Sequence, residues 1–215
     1  KRVRELKDPA QTRTREGDSV MAVLPGSTKH RVVVFTSKGS GYVIKINDIA
    51  ATAGYGDPAP KYFKFADGEK IVSAMSLDPR AMIPPTLLAM SANGYGLRFA
   101  SAPHTEITTK AGRRYAKAGE GDEIIGVVAC NDTDIVAAAT RDGHVAHCKA
   151  DEIAKLEGPG RGVTVIKTDD EDRVIGFIAG VKSDAFEIET DKSGKKFTIN
   201  ADPKQAKSRG GKGHQ

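Results

Sequence analysis

A period of about fifty residues runs through the chain, and no other feature restricts its fold so tightly. Two independent markers carry it. The first is a polar turn with glycine, then an alternating strand, then an acidic residue followed by Ile. Thr36-Ser37-Lys38-Gly39 leads to Asp48-Ile49, and Thr140-Arg141-Asp142-Gly143 leads to Glu152-Ile153 at the same offset. Ser91-Ala92-Asn93-Gly94 leads to Glu106-Ile107 with three extra residues, and Asp191-Lys192-Ser193-Gly194 before Lys195-Lys196-Phe197-Thr198-Ile199 is a weaker fourth copy. The glycines at 39, 94, 143 and 194 are spaced by 55, 49 and 51. The second marker is an acidic turn entering a β-branched strand. It occurs as Gly17-Asp18-Ser19-Val20-Met21, Gly68-Glu69-Lys70-Ile71-Val72, Gly121-Asp122-Glu123-Ile124-Ile125 and Glu171-Asp172-Arg173-Val174-Ile175, with acids spaced by 51, 53 and 50. Two markers in one period predict a propeller-like or solenoid array.

Within each unit the pattern is β. Val32–Phe35, Leu87–Met90 and Ile135–Ala138 are short apolar runs bounded by turn residues, as buried strands are. Each precedes a glycine turn and a second strand (Tyr42–Ile46, Leu97–Ala100, Val145–Lys149), which makes a hairpin. Helical periodicity is nearly absent, and Asp151–Leu156 reads as one helical turn after a strand. The expected fold is all-β: a propeller or β-pinwheel of about four four-stranded blades, which leaves only short protected edges. The chain opens in the second half of a repeat and closes in the first half of one. Residues 25–78, 79–131 and 132–182 are therefore read as continuous repeats, with 1–24 and 183–215 forming one composite or incomplete blade of a single 1–215 domain.

Charge follows the same phase. The net charge is +5, but residues 1–15 hold six Lys/Arg against Glu5 and Asp8, and residues 192–215 hold seven against Asp202. The ends thus carry +4 and +6, and the middle 5 − 4 − 6 = −5. Ring closure would bring the two basic ends together on an acidic body. Each repeat also has a basic residue at a comparable turn: Lys61 after Pro60, Arg113 after Gly112, Arg161 after Gly160 and Lys212 after Gly211. Lys64, Lys110, Arg114, Lys117 and Arg209 fall on or beside these turns. Glycine lets backbone N–H groups approach a phosphate, and a nearby guanidinium or ammonium supplies counter-charge. One such turn per blade would line a perimeter with cations, and duplex DNA, a polyanion that can bend around a convex rim, is the expected partner. Phosphate contacts position without reading bases, so weak sequence preference is expected. Aromatic residues near the turns are few, Tyr62 and Tyr115 being closest, which weakens a single-strand reading.

Taken together, the glycine hairpin, acidic-Ile ending, basic glycine-rich turn and acidic-turn strand resemble the C-terminal β-pinwheel of bacterial type IIA topoisomerase A subunits, those of DNA gyrase and topoisomerase IV. The resemblance covers essentially the whole chain. Leu87-Leu88-Ala89-Met90-Ser91-Ala92-Asn93-Gly94-Tyr95-Gly96 is most similar to topoisomerase IV. Arg209-Gly210-Gly211-Lys212-Gly213 resembles the core of the gyrase wrapping box, whose pattern is Gln, basic, Arg-Gly-Gly, basic, Gly; Lys207 and Ser208 stand at its first two places, which tells against strong wrapping. The resemblance implies a non-catalytic, duplex-bending domain of an A2B2 enzyme that passes one duplex through another using ATP. It also implies that the strand-cleaving tyrosine and the ATPase lie elsewhere, so none of Tyr42, Tyr55, Tyr62, Tyr95 or Tyr115 is a nucleophile. Whether strands are exchanged between blades is open at this level.

The alternatives are narrower. A propeller-type protein-interaction scaffold, with basic turns on acidic protein surfaces, is the main rival; an independent hydrolase would need a site that the sequence lacks. No cofactor is implied. His144-Val145-Ala146-His147-Cys148 invites a metal, but on a strand His144 and Cys148 share one face and His147 the other. Gly39-Ser40-Gly41 and Gly94-Tyr95-Gly96 precede neither a helix nor a Gly-Lys-Ser/Thr ending and read as hairpin turns. Asp169-Asp170-Glu171-Asp172 reads as a solvated turn. No apolar stretch approaches the ~20 residues needed to cross a bilayer, so no membrane partner is expected. Two isolated cysteines, Cys130 and Cys148, fit a reducing compartment, the bacterial cytoplasm, and a start without Met or an apolar core suggests a piece of a larger polypeptide.

Overall fold

The structure, a computed structural model, describes residues 1–191 and 193–214. Lys192, one of the terminal cations and a member of the fourth glycine turn, lies outside the described residues. Among the described residues the regular elements are strands and single-turn 3₁₀ segments, and no helix is long and apolar enough to cross a membrane.

The first repeat contains β1 (Arg31–Thr36), β2 (Ser40–Lys45) and β3 (Ile71–Ser76). The second contains β4 (Thr86–Ser91), β5 (Tyr95–Ala100), the two-residue β6 (Arg113–Arg114) and β7 (Ile124–Ala129). The third contains β8 (Ile135–Thr140), β9 (Val145–Lys149), β10 (Lys155–Leu156), β11 (Val163–Thr164) and β12 (Val174–Gly180), and the last hairpin is β13 (Ala185–Glu189) with β14 (Lys196–Asn200). The one helical turn expected over Asp151–Leu156 is shorter. A 3₁₀ turn spans Ala150–Glu152, and Lys155–Leu156 extends to pair with β5.

Each hairpin is joined by its own return strand on one side: β3 on β1, β7 on β4 and β12 on β8, all antiparallel. On the other side, the first three hairpins receive chain from the following repeat. β6 pairs with β2, β10 and β11 pair with β5, and His214 forms a bridge with Val145 of β9. Strands are therefore exchanged between neighbours, the arrangement of a pinwheel. The described sheets have four, five, three and two strands, because the third is sealed by a single bridge and the β13–β14 hairpin has neither partner. The described hydrogen bonds of residues 1–24 run among themselves and to 49–54, with Arg2 bridging Ala51.

Alternation along the strands assigns each side chain to one neighbour. Val33 and Phe35 of β1 meet Leu87 and Ala89 of β4 in one buried layer, whereas Leu88 and Met90 point the other way, onto Val136 and Ala138 of β8. Ala137 and Ala139 in turn face Ile199, Phe186 and Ile188 of the last hairpin. Val34 and Tyr42 turn outward under Phe63. Arg98 is 6% exposed and ties β5 to the third blade by donating to the Ile153 carbonyl and pairing with Asp132. Neutralising and bonding a guanidinium in this way is what makes its burial tolerable.

Candidate nucleic-acid interface

The segments that follow the second, third and last hairpins cross to the preceding blade and are fixed there by backbone bonds. Tyr115 and Ala116 both donate N–H to the Gly39 carbonyl; Val165 and Ile166 do the same to Gly94. Such close crossing needs glycine. A Cβ on Gly94, whose φ is +80°, would lie 2.0 Å from the Ile166 oxygen, so only a residue without one fits. Consecutive crossing segments are then joined to one another. Lys64 donates its N–H to the Lys110 carbonyl, Lys117 to Gly160 and Lys167 to Gly211. The result is a backbone belt that runs from one blade to the next, and the basic glycine-rich turns lie on it.

All the basic residues singled out from the sequence are exposed, but their circumstances differ. Lys61 forms an ion pair with Asp57 at 2.9 Å, and Lys212 pairs with Asp169 at 2.6 Å. In both pairs the carboxyl is held below its ordinary range: Asp57 by the Tyr62 hydroxyl and then Lys61, Asp169 by Lys212. Arg113 donates to the Pro103 carbonyl, and the Arg161 guanidinium lies 3.7 Å from the Tyr95 ring centroid. Arg209 is a clamp, donating to the carbonyls of Glu152 and Thr164. Lys110 reaches back to the Lys61 carbonyl. Among the described residues the side chains of Lys64, Arg114, Lys117 and Lys207 have no ion-pair partner within 4.0 Å. Gly210, Gly211 and Gly213 shape the final turn: Gly210 donates to Val165, Gly211 bridges Ile166, and Gly213 passes so near Val145 that a Cβ would lie 2.5 Å from its oxygen.

Three of the four turns make the same crossing, but the cations on them do not occupy the same position. Arg113 faces Gly41, Val163 faces Gly96 and His214 faces Val145, and each of these partners lies two residues after a left-handed hairpin glycine. Arg113 thus corresponds to Val163 and His214, following the left-handed Gly112, whereas Arg161 and Lys212 precede Gly162 and Gly213. Lys61 corresponds to Arg114, since Lys64 and Lys117 make the same junction bond. Spacing of 48 to 52 residues in the sequence tolerated this shift, because the turns differ in where their glycines fall.

The acids that mark the period act as latches. Asp122 Oδ1 accepts the N–H groups of Asn93 and Glu123, and Asp172 Oδ1 accepts those of Asp142 and Arg173. Glu69 accepts the Thr36 and Tyr42 hydroxyls. Each ties the return strand to the hairpin turn of its own blade. The even phase of these residues was visible in the sequence; the burial of Asp122 and Asp172 was not. Tyr115, 2% exposed, donates its hydroxyl to the Thr36 carbonyl, and burial raises its pKa. Tyr62 donates its hydroxyl to Asp57. The thiols of Cys130 and Cys148 are buried and unpaired, and burial pushes both up to about 12. Among the described residues no group of three or more His, Cys, Asp or Glu is placed to hold a metal ion.

Comparison with known proteins adds sequence and fold. A family profile described as "DNA gyrase C-terminal domain, beta-propeller" matches residues 30–56, 85–131 and 134–179. The gyrase A protein of Escherichia coli (strain K12) is 25% identical over 164 residues, which are 75% of this chain and 18% of that protein. The gyrase A protein of Aminobacterium colombiense is 29% identical over 171 residues, 77% of this chain and 20% of that one. The chain therefore spans about a fifth of the length of the curated relatives it matches. In fold it is similar to the E. coli ParC C-terminal domain, with a TM-score of 0.75 and 19% identity over 98% of this chain and 85% of that one. It is also similar to the C-terminal domain of DNA topoisomerase IV, with a TM-score of 0.56 and 18% identity over 96% of this chain and 80% of that one.

Proposed function

The chain belongs to the DNA gyrase C-terminal domain β-propeller family, and from that premise we propose that it binds and bends duplex DNA along the belt of crossing segments. One observation carries this reading: basic glycine-rich turns from successive repeats are bonded backbone to backbone into one belt, with their cations exposed. A track of that kind suits a polyanion, whose release of counterions drives binding and whose bending is offset by added contacts. It gives no reason to expect base reading, which needs side chains in a groove.

In the whole protein this domain serves a type IIA topoisomerase of the gyrase or topoisomerase IV kind, as part of its A chain, in the bacterial cytoplasm and on the nucleoid. It guides DNA toward ATP-dependent strand passage by an assembly with the ATPase B chain, and contributes neither the cleaving tyrosine nor the ATPase. Lys61, Lys64, Lys110, Arg113, Arg114, Lys117, Arg161, Lys207, Arg209, Gly210, Gly211, Lys212 and Gly213 make up its duplex-contacting track. The ends share a blade. Val20–Leu24 stands two residues after Asp18, as β3, β7 and β12 stand after their acids; it is exposed and forms no strand in this structure, and it would close the blade by moving onto β13.

Titration of duplex affinity against monovalent salt tests the reading. Engagement of several phosphates gives a log–log slope near −0.9 for each one. A slope near zero, or equal affinity for an acidic protein, would point to a protein scaffold instead.

A further inference from the structure

Among the exposed cations of the belt, one position repeats in register. Lys64, Lys117 and Lys167 each donate a backbone N–H to the crossing segment of the next repeat, at Lys110, Gly160 and Gly211 respectively. In the second and third repeats the residue before this lysine is fully buried, Ala116 and Ile166. Each lysine lies five residues before the latch acid of its repeat, Glu69, Asp122 or Asp172. All three are exposed, and among the described residues none has a carboxylate within 4.0 Å. Their surroundings are not free of acid: Asp169 feels Lys167, although it is paired with Lys212. The turn cations stand differently, with Lys61 and Lys212 neutralised by Asp57 and Asp169. The unpaired Arg114 has Thr164 as its counterpart in the next repeat, so it does not recur.

We infer that Lys64, Lys117 and Lys167 form the primary phosphate-binding row of this domain, one ammonium per blade junction, with the turn cations acting first on the belt's own structure. The inference rests on the duplex-binding reading and specifies its residues. An ammonium on a flexible stem is a point charge suited to phosphates whose spacing is not fixed. The junction bond sets each lysine at the same place between neighbouring blades, so their spacing follows that of the blades. Lys61 and Lys212 would first have to leave a carboxylate, and the vacated Asp57 and Asp169 would then repel the duplex. Arg13 provides an internal control. It also lies five residues before its acid, Asp18, but its own carbonyl accepts from Lys1, and none of its described bonds is the junction bond.

The test compares the unaltered 215-residue chain with a triple variant, K64A/K117A/K167A, by fluorescence anisotropy on a random-sequence duplex across a salt series. The triple variant is expected to lose on the order of several hundredfold in affinity at about 0.1 M salt, roughly eightfold per lysine, with its slope flattened by about 2.7. K61A/K212A and R13A should each lose less. The triple Lys→Arg variant, which keeps the charges, should bind like the unaltered chain, and all variants should melt at the same temperature. An Ala triple with unchanged affinity and slope, or a larger loss in K61A/K212A, overturns the assignment while leaving duplex binding in place. Loss in the Lys→Arg triple also overturns it, since charge would then not be the agent. An unaltered chain that binds no duplex at low salt removes the duplex reading and the row with it.

Discussion

The layer between the first and second blades and the layer between the third blade and the last hairpin come from the same repeat, yet they are built differently. In the former, Phe35, Phe99 and Tyr115 meet with ring centroids 5.0–6.0 Å apart, around a buried His104 and flanked by Leu87 and Leu97. In the latter the third blade offers Ala137 and Ala139, and the last hairpin covers them with Ile199 and the partly exposed Phe186 and Ile188. The first hairpin is paired on both sides; among the described residues the last has no partner strand on either edge. Repetition therefore does not imply uniform stability. In an array whose units contact only their neighbours, stability is a sum of unit and interface contributions, and opening should begin where those are smallest.

The sharpest way to break this contrast is by truncation. Phe99→Ala should cost about 3–5 kcal/mol, and Ile188→Ala, at a half-exposed site that can relax, about 1 kcal/mol. Denaturant unfolding of the two variants measures the difference, and equal losses would show that the layers are equivalent. Next in size, Asp122→Ala removes the latch of the well-packed second blade and leaves two part-buried N–H groups without their acceptor. A loss of roughly 1 kcal/mol is expected, with hydrogen exchange accelerated at Asn93 and Glu123 and little change in β13 and β14.

Acid should have the smallest effect and should sharpen the contrast. Burial, with Arg113 adding to it, lowers the pKa of His104 to about 4. The unfolded chain then binds this proton at a higher pH than the folded one does. The contribution of a neutral His104 is complete above about pH 6.5 and is lost as pH falls from there toward about 4. His147, between the third blade and the last hairpin, is also lowered by burial, but the Asn200 carbonyl opposes that shift. Replacing His104 with Phe should flatten the decline measured by urea unfolding at pH 7 and pH 5 more than His147→Phe does.

Hairpins and the return strands at Ile71–Ser76, Ile124–Ala129 and Val174–Gly180 were legible because each is local: apolar runs, left-handed glycines and acidic turns recur in the chain itself, whereas the same pattern after Asp18 forms no strand. Gly39, Gly94 and Gly143 all take the positive φ that their turns demand. What lay beyond reading was registration between distant segments. Whether Arg113 or Ala111 matches Arg161 depends on which residue faces Gly41 or Gly96 across a crossing, and that is set by glycines whose offsets differ from turn to turn. The same limit hid the lysine row. Lys64 and Lys117 were visible as neighbours of the turns, but Lys167 joins them only through its bond to Gly211. The acids were visible as a period and not as latches, because an exposed turn and a buried acceptor have the same composition.

Exchange of edge strands also has a bearing on how such a chain can be made. The outer edge of β2 is closed by Arg114, which lies 114 − 45 = 69 residues beyond Lys45, the end of that strand. At roughly 5–20 residues per second, a ribosome would leave that edge uncovered for about 3–14 s, and each later hairpin would wait in the same way for its successor. Completion therefore lags synthesis by one unit, and the growing polypeptide would carry an unsealed edge while each successive unit is made.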